Sequence, residues 1–160
     1  KWAWHDDNRT QKAWDDLMRS TERVLRSAED NGIILGVETE ASNIICDPET
    51  ARRYLDTVGS SSIKIIMDGA NLFHKEQVAR MDQVLDDAFA LLGKDIVLAH
   101  AKDLSLQENI AFVAAGEGEL DFPHYISLLK KYHYTDALIL HGLSVEQIGK
   151  SVAFLKRAMA

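Results

Sequence analysis

Cysteine is almost absent from this chain. The one residue of that type, Cys46, excludes an internal disulfide and suits a reducing compartment. No apolar run approaches the roughly 20 residues that a bilayer demands, and no positively charged start leads into an apolar stretch. A membrane partner is therefore not expected, and the cytoplasm is the expected location. Basic residues are in deficit, with 18 Lys and Arg against 25 Asp and Glu and a net charge of −7. Nucleic acids are held by clustered Lys and Arg that displace counterions, so no nucleic-acid partner is expected. The acidic residues are scattered along the chain, which favours solubility. Low-complexity tracts and Ser/Gly linkers are also missing. With 160 residues and 46% hydrophobic content, the chain is expected to form a single domain over 1–160.

What is present alternates between two periods. Ala13, Trp14, Leu17, Met18, Val24, Leu25 and Ala28 fall on one helical face, with Gly32 where a C-terminal cap belongs. "IILGVE" (33–38) follows as a short β-rich run. Asp47 and Pro48 supply an N-cap and a first-turn proline for a helix through about Val58, closed by Gly59. "IKIIMD" (63–68) is the next strand, and Val78, Val84, Leu85, Ala88, Phe89 and Leu92 predict a long helix ending at Gly93. "DIVLAH" (95–100) is a third strand, followed by a longer polar loop. Asp121 and Pro123 open a helix to about Lys131, and "DALILH" (136–141) is the fourth strand. Ser144 with Gln147 forms a capping box, and Ile148, Val152, Leu155 and Met159 predict the buried face of a last helix. Strands apolar on consecutive residues, joined by crossover helices, imply a parallel sheet covered by helices. Doubly wound sheets and β/α barrels both satisfy that description.

The strands end on Glu38, Asp68, His100 and His141, which are 30, 32 and 41 positions apart. Each gap fits one β/α unit, and the carboxyl ends of parallel strands face one side of the sheet, where active sites are built. A single polar residue at a strand end marks only the passage into a loop. Four in register, all of ligand type, point to a shared site. Two carboxylates and two imidazoles suit one divalent metal such as Zn²⁺, Mn²⁺ or Co²⁺.

"GVETEASNI", "IKIIMDGANLF", "IVLAHAKD", "GEGELDF" and "ALILHGL", in that order, resemble the C-terminal half of the sugar phosphate isomerase/epimerase family. That family belongs to the xylose isomerase-like TIM barrels, which also include the apurinic endonucleases. "WAWHDDNRT" resembles the loop that these proteins carry after strand four. The resemblance implies an α/β fold of TIM-barrel type, about half a barrel, with four parallel strands and four to five helices. It also implies one divalent metal (Mn, Zn, Co or Mg) held by Glu38, Asp68 and His100, with His141 where the family's last carboxylate usually stands. The family reaction is sugar or sugar-phosphate isomerisation or epimerisation, by proton transfer through a metal-stabilised enediolate. Glu38 is then the expected base and His141 a ligand or second proton carrier.

Around these residues the resemblance suggests substrate contacts. Asn71, in "DGAN", replaces a His that contacts substrate in many epimerases. Lys102 would orient a sugar or phosphate oxygen, unless Lys102 and Asp103 are simply a solvated loop pair. Trp2, Trp4 and His5 would form an aromatic wall against a sugar, or a packed end to the barrel. Glu40 falls on the same side as Glu38 by strand alternation, or is a loop charge. "GEGE" (116–119) resembles a loop that borders the site, and His74, His124 and His133 read as ordinary surface or packing residues.

A full β/α barrel takes about 250 residues, whereas this chain starts, without Met, just past the expected end of strand four. A fragment is expected, one that self-associates or packs against a missing N-terminal half. Two further functions stay open. One is an apurinic endonuclease-like phosphodiesterase, disfavoured by the acidic charge and the sparse ligand set. The other is a non-catalytic sugar-binding barrel, favoured by His141.

Overall fold

Helix α1 (Gln11–Asp30) begins where the Thr10 hydroxyl accepts a hydrogen bond from the Ala13 amide, a side-chain cap. This computed structural model describes residues 5–160. The α1 face that meets the protein carries Trp14, Thr21 and Ala28, flanked by Leu17, Met18 and Leu25. Val24, read from the spacing as part of that face, points to solvent. Strand β1 (Leu35–Glu38) is shorter than its apolar run, and Ile33 and Ile34 ahead of it are exposed.

Helix α2 (Pro48–Val58) has the ends that its sequence predicts. Asp47 accepts from the Thr50 amide at 2.7 Å, and Gly59, at φ 64, closes the helix in the left-handed conformation that glycine adopts without strain. Strand β2 (Ile63–Asp68) alternates Ile63, Ile65 and Met67 into the core. Helix α3 (Met81–Leu92) is shorter than the predicted one. Its approach, Lys75–Arg80, is wound as a 3-10 helix, started by a box in which the His74 amide donates to Gln77 Oε1.

Strand β3 (Ile96–Leu106) corrects the sequence reading more substantially. Instead of ending at His100 in a polar loop, it runs six residues further and pairs antiparallel with β4 (Ile110–Ala114). Helix α4 (Phe122–Lys131), strand β5 (Leu138–Leu140) and helix α5 (Ile148–Met159) complete the chain. On α5 only Ser151 and Leu155 are buried. Ile148, Val152 and Met159, predicted to face inward, are exposed because no described element packs over them.

The sheet order is β1-β2-β3-β5, all parallel, with β4 on the far half of β3. Among the described residues the result is a mixed α/β half-barrel of four parallel strands and five helices. Its core lies between the sheet and α2, α3 and α4, where Phe89, Leu85, Leu92, Phe122 and Tyr125 are all fully buried. Register then fixes the site. Asp68 lies beside His100, Glu38 beside Ile66, and the His141 amide donates to the Ala101 carbonyl at 3.1 Å. No helix among the described residues is long and apolar enough to cross a membrane.

Candidate metal centre

Register brings the four predicted ligand residues together. Glu38, Asp68, His100 and His141 each offer one ligand atom, and these atoms all lie within 4.8 Å of one another. Donors about 2.0–2.2 Å from a common ion lie at most about 4.4 Å apart, so a shift of a few tenths of an ångström would let all four reach one cation. Two oxygen and two nitrogen donors suit a divalent metal. The residues present therefore fit the group that the resemblance implies.

Asp68 is the hub. It is fully buried, and its Oδ2 lies 3.0 Å from Lys102 Nζ and 3.4 Å from Nδ1 of both His100 and His141. Its Oδ1 accepts from the Ala70 amide at 3.1 Å. His100 Nδ1 is 3.2 Å from Glu38 Oε1, and the two imidazole rings lie 4.6 Å apart at 37°. Beneath them the Tyr125 hydroxyl sits 3.0 Å from the Met67 carbonyl and 3.2 Å from that of His100. One phenol on α4 thus ties the end of β2 to the middle of β3, where two of the four residues stand.

The charges are mutually adjusted. Burial, and then the charge of Asp68, push the Glu38 carboxyl above its ordinary range. Burial also opposes charge on Asp68, but hydrogen bonds and positive charge from His100 and Lys102 outweigh it and hold that carboxyl low. The hydrogen bond to Asp68 raises His100 against the effect of its own burial, and the Glu38 charge adds to the rise. Two carboxylates this close form a site that gains from a cation.

A cavity of about 500 Å³ opens beside the cluster, lined among others by Glu38, Glu40, Asn71, Lys102, Phe112 and His141. Lys102 is buried there, not solvated. Its ammonium is 2.6 Å from Asn71 Oδ1 and 4.0 Å from the centre of the Phe112 ring. Asp103 faces the other way and is buried too, so the solvated-pair reading does not hold for either residue. The four backbone amides of Leu104, Gly116, Gly118 and Leu120 donate to the Asp103 carboxylate at 2.8–3.0 Å, winding "GEGE" around it.

Glu40 lines the cavity and also accepts from the amide and hydroxyl of Ser42, so it is a loop residue at the rim. His5 is exposed at the head of a 3-10 turn (Asp6–Arg9), where its Nδ1 accepts from the Asp7 amide, and it does not line this cavity. Trp2 and Trp4 lie outside the described residues. His74 caps a 3-10 helix, His124 Nε2 lies 3.2 Å from Asp86, and His133 follows the Tyr132 cap of α4 at φ 63. Phe112, half-exposed on β4, was missed from sequence because "SLQENIAFVA" was read as loop. The apolar, β-prone run "IAFVA" directly after the polar "QEN" turn was the available signal for a hairpin.

Comparison with known proteins agrees with this architecture. The family described as xylose isomerase-like TIM barrel matches residues 2–158. Inosose dehydratase from Glaesserella parasuis serovar 5 (strain SH0165) is 24% identical over 142 residues, covering 81% of this chain and 47% of that protein. A solved D-tagatose 3-epimerase-like protein superposes with a TM-score of 0.73 at 19% identity, covering 91% of this chain and 54% of its own. A xylose isomerase-like TIM barrel protein from Mycobacterium smegmatis, solved in complex with magnesium, gives 0.66 at 17% identity, covering 94% and 53%. The chain thus spans about half the length of the proteins it matches, and at these identities the structural likeness is one of fold. With nearly its whole length matched, the chain belongs to the xylose isomerase-like TIM barrel family.

Proposed function

We propose that the intact protein is a divalent-metal-dependent enzyme that isomerises or epimerises a sugar or sugar phosphate by moving a proton next to a carbonyl. The observation that carries this reading is the convergence of Glu38, Asp68, His100 and His141 beside a cavity large enough for a small sugar. When bound, the ion would hold adjacent substrate oxygens and stabilise the negative charge that develops on them. Glu38 would be both ligand and base: its carboxyl, raised by burial and by Asp68, is suited to taking a proton from carbon. His141, half-exposed at the cavity mouth, would either ligate the ion or, left unligated, return a proton. Lys102 would present its ammonium to a substrate oxygen, and the Phe112 ring would cover an apolar face of the sugar. Magnesium in the Mycobacterium smegmatis neighbour and the epimerase likeness of another support a divalent ion and a ketose. Mn²⁺, Mg²⁺, Co²⁺ and Zn²⁺ are the ions to try.

The test is proton exchange. Full-length protein with Mn²⁺ is incubated with a panel of ketoses and ketose phosphates in D₂O and followed by NMR. Deuterium should enter at a carbon next to the carbonyl. Chelation should abolish the exchange, and Glu38→Gln should slow it at least about 100-fold. Metal-loaded protein that exchanges no substrate in the panel would overturn the reading.

A second reading shares the first step. The likeness to inosose dehydratase supports proton removal followed by loss of water, with His141 or Lys102 protonating the departing hydroxyl. An unsaturated product in the same experiment would favour it. Among the described residues one ligand-type group is found, which lends no support to multi-zinc phosphodiester chemistry.

A further inference from the structure

We propose that Asn71 is a positioning residue that aims the Glu38 carboxylate, with Lys102 fixing the amide, in place of the substrate contact suggested by its position in the chain. The proposal rests on the metal-centre reading above. Asn71 stands in the 3-10 turn Gly69–Leu72 directly after Asp68, is 7% exposed, and reaches across to the end of β1. Its Nδ2 donates to Glu38 Oε1 and to the Thr39 carbonyl, both at 3.0 Å, so both amide protons are used inside the protein. Its Oδ1 accepts from Lys102 Nζ at 2.6 Å.

The amide can sit only this way round. A flip would turn its NH₂ toward the ammonium and its oxygen toward a carboxylate and a carbonyl, replacing three attractions by three repulsions. Lys102 is itself held, by Asp68 Oδ2 at 3.0 Å and by the Phe112 ring. A continuous chain thus runs from Asp68 through Lys102 and Asn71 to Glu38, linking two of the four ligand-type residues without passing through an ion. Among the described residues, the close polar contacts of the Glu38 side chain, the Asn71 amide donating at 3.0 Å and His100 Nδ1 at 3.2 Å, both fall on Oε1. Two contacts on one oxygen restrain where the carboxylate can swing. Support of this kind for a ligand typically changes metal affinity 10–100-fold.

The test uses full-length protein and Mn²⁺ alone, titrated by calorimetry, with circular dichroism to confirm folding. Asn71→Ala should weaken Mn²⁺ binding about 10–100-fold and leave KM for the exchanged sugar nearly unchanged. Combined with Glu38→Gln it should add less than about twofold, because its effect passes through Glu38. Wild-type Mn²⁺ affinity with a raised KM would mean that Asn71 touches substrate, and would overturn the proposal. So would an equal loss in the Glu38→Gln background. A metal-free measurement separates the two readings: the Asn71 side-chain amide protons should exchange slowly by NMR, and faster in Lys102→Met and Glu38→Gln. Fast exchange in the wild type overturns the relay, whereas slow exchange in a protein that binds no Mn²⁺ overturns only the metal centre.

Discussion

Asp103 illustrates how far a residue's role can lie from its appearance in sequence. In "HAKD" it reads as a charge leaving the strand, yet it is buried and takes four backbone hydrogen bonds. Peptide N–H groups around a carboxylate form a concave anion site, and here the anion belongs to the protein itself. Asp103→Asn keeps the shape but sets an NH₂ against N–H donors, and should cost about 2 kcal/mol or more, read as a lower melting temperature. Tyr125→Phe removes one hydroxyl shared between two carbonyls and should cost about 1 kcal/mol. Because those carbonyls belong to Met67, which precedes Asp68, and to His100 itself, the Mn²⁺ affinity of the variant should fall as well. An unchanged affinity would mean that the phenol supports the fold alone. The four strand-end residues were legible because spacing in a parallel sheet dictates convergence. Asn71 and Lys102 read as substrate contacts, but their bonds to each other, to Glu38 and to Asp68 were not legible, since those partners lie on other strands and depend on side-chain direction.

Elements were legible wherever their ends carry local chemistry. Helix α2 has its cap, its proline and its left-handed glycine within the residues that form it, and the structure follows them. The same cap predicts a pH dependence. Burial opposes charge on Asp47, but the hydrogen bonds from Thr50 outweigh it and hold the carboxyl below its usual range. A depressed folded-state pKa contributes stability above the unfolded value of about 4, and that stability is lost as pH falls through the folded value. Asp47→Ala should therefore cost about 1 kcal/mol at pH 7, and the gap from wild type should narrow as pH falls below the unfolded value of about 4. A gap independent of pH would rule out the charged cap as its origin. The β3–β4 hairpin was missed for the opposite reason: Lys102 and Asp103 suggest a loop, and only burial against Phe112 and the "GEGE" turn keeps them in a strand. Gly118 belongs to that device. A Cβ there would lie 2.1 Å from the Leu104 carbonyl oxygen and 2.5 Å from Asp103. Gly118→Ala should open the turn and destabilise the protein as much as Asp103→Asn, and the double variant should cost little more than either alone.

At the scale of the molecule, the helix-covered side of the sheet is finished and the other side is not. Ile63, Ile65 and Met67 are buried under helices, whereas Ile139 on β5 is 43% exposed and Ile66 and Leu98 stay outside the core cluster. In a closed barrel that inner face is filled by side chains from all eight strands. Among the described residues, β1 pairs only with β2 and β5 only with β3, so each edge keeps a row of unpaired backbone groups. The exposed Val145, Ile148 and Val152 follow β5 in the chain, and the exposed Ile33 and Ile34 precede β1. Burial of these surfaces against a partner is worth roughly 25 cal/mol per Å² of apolar area, and a second copy brings two complementary edges and a matching inner face. The chain expressed by itself is therefore expected to self-associate, with a mass by light scattering of at least twice that of one chain at tens of micromolar. Ile148→Asp combined with Val152→Asp should weaken that association without touching the buried Leu155, and so leave the helix folded. A monodisperse monomer of the unmodified chain would show that an open half-barrel can keep both edges and its inner face in water, and would remove the reason for expecting a partner on this side.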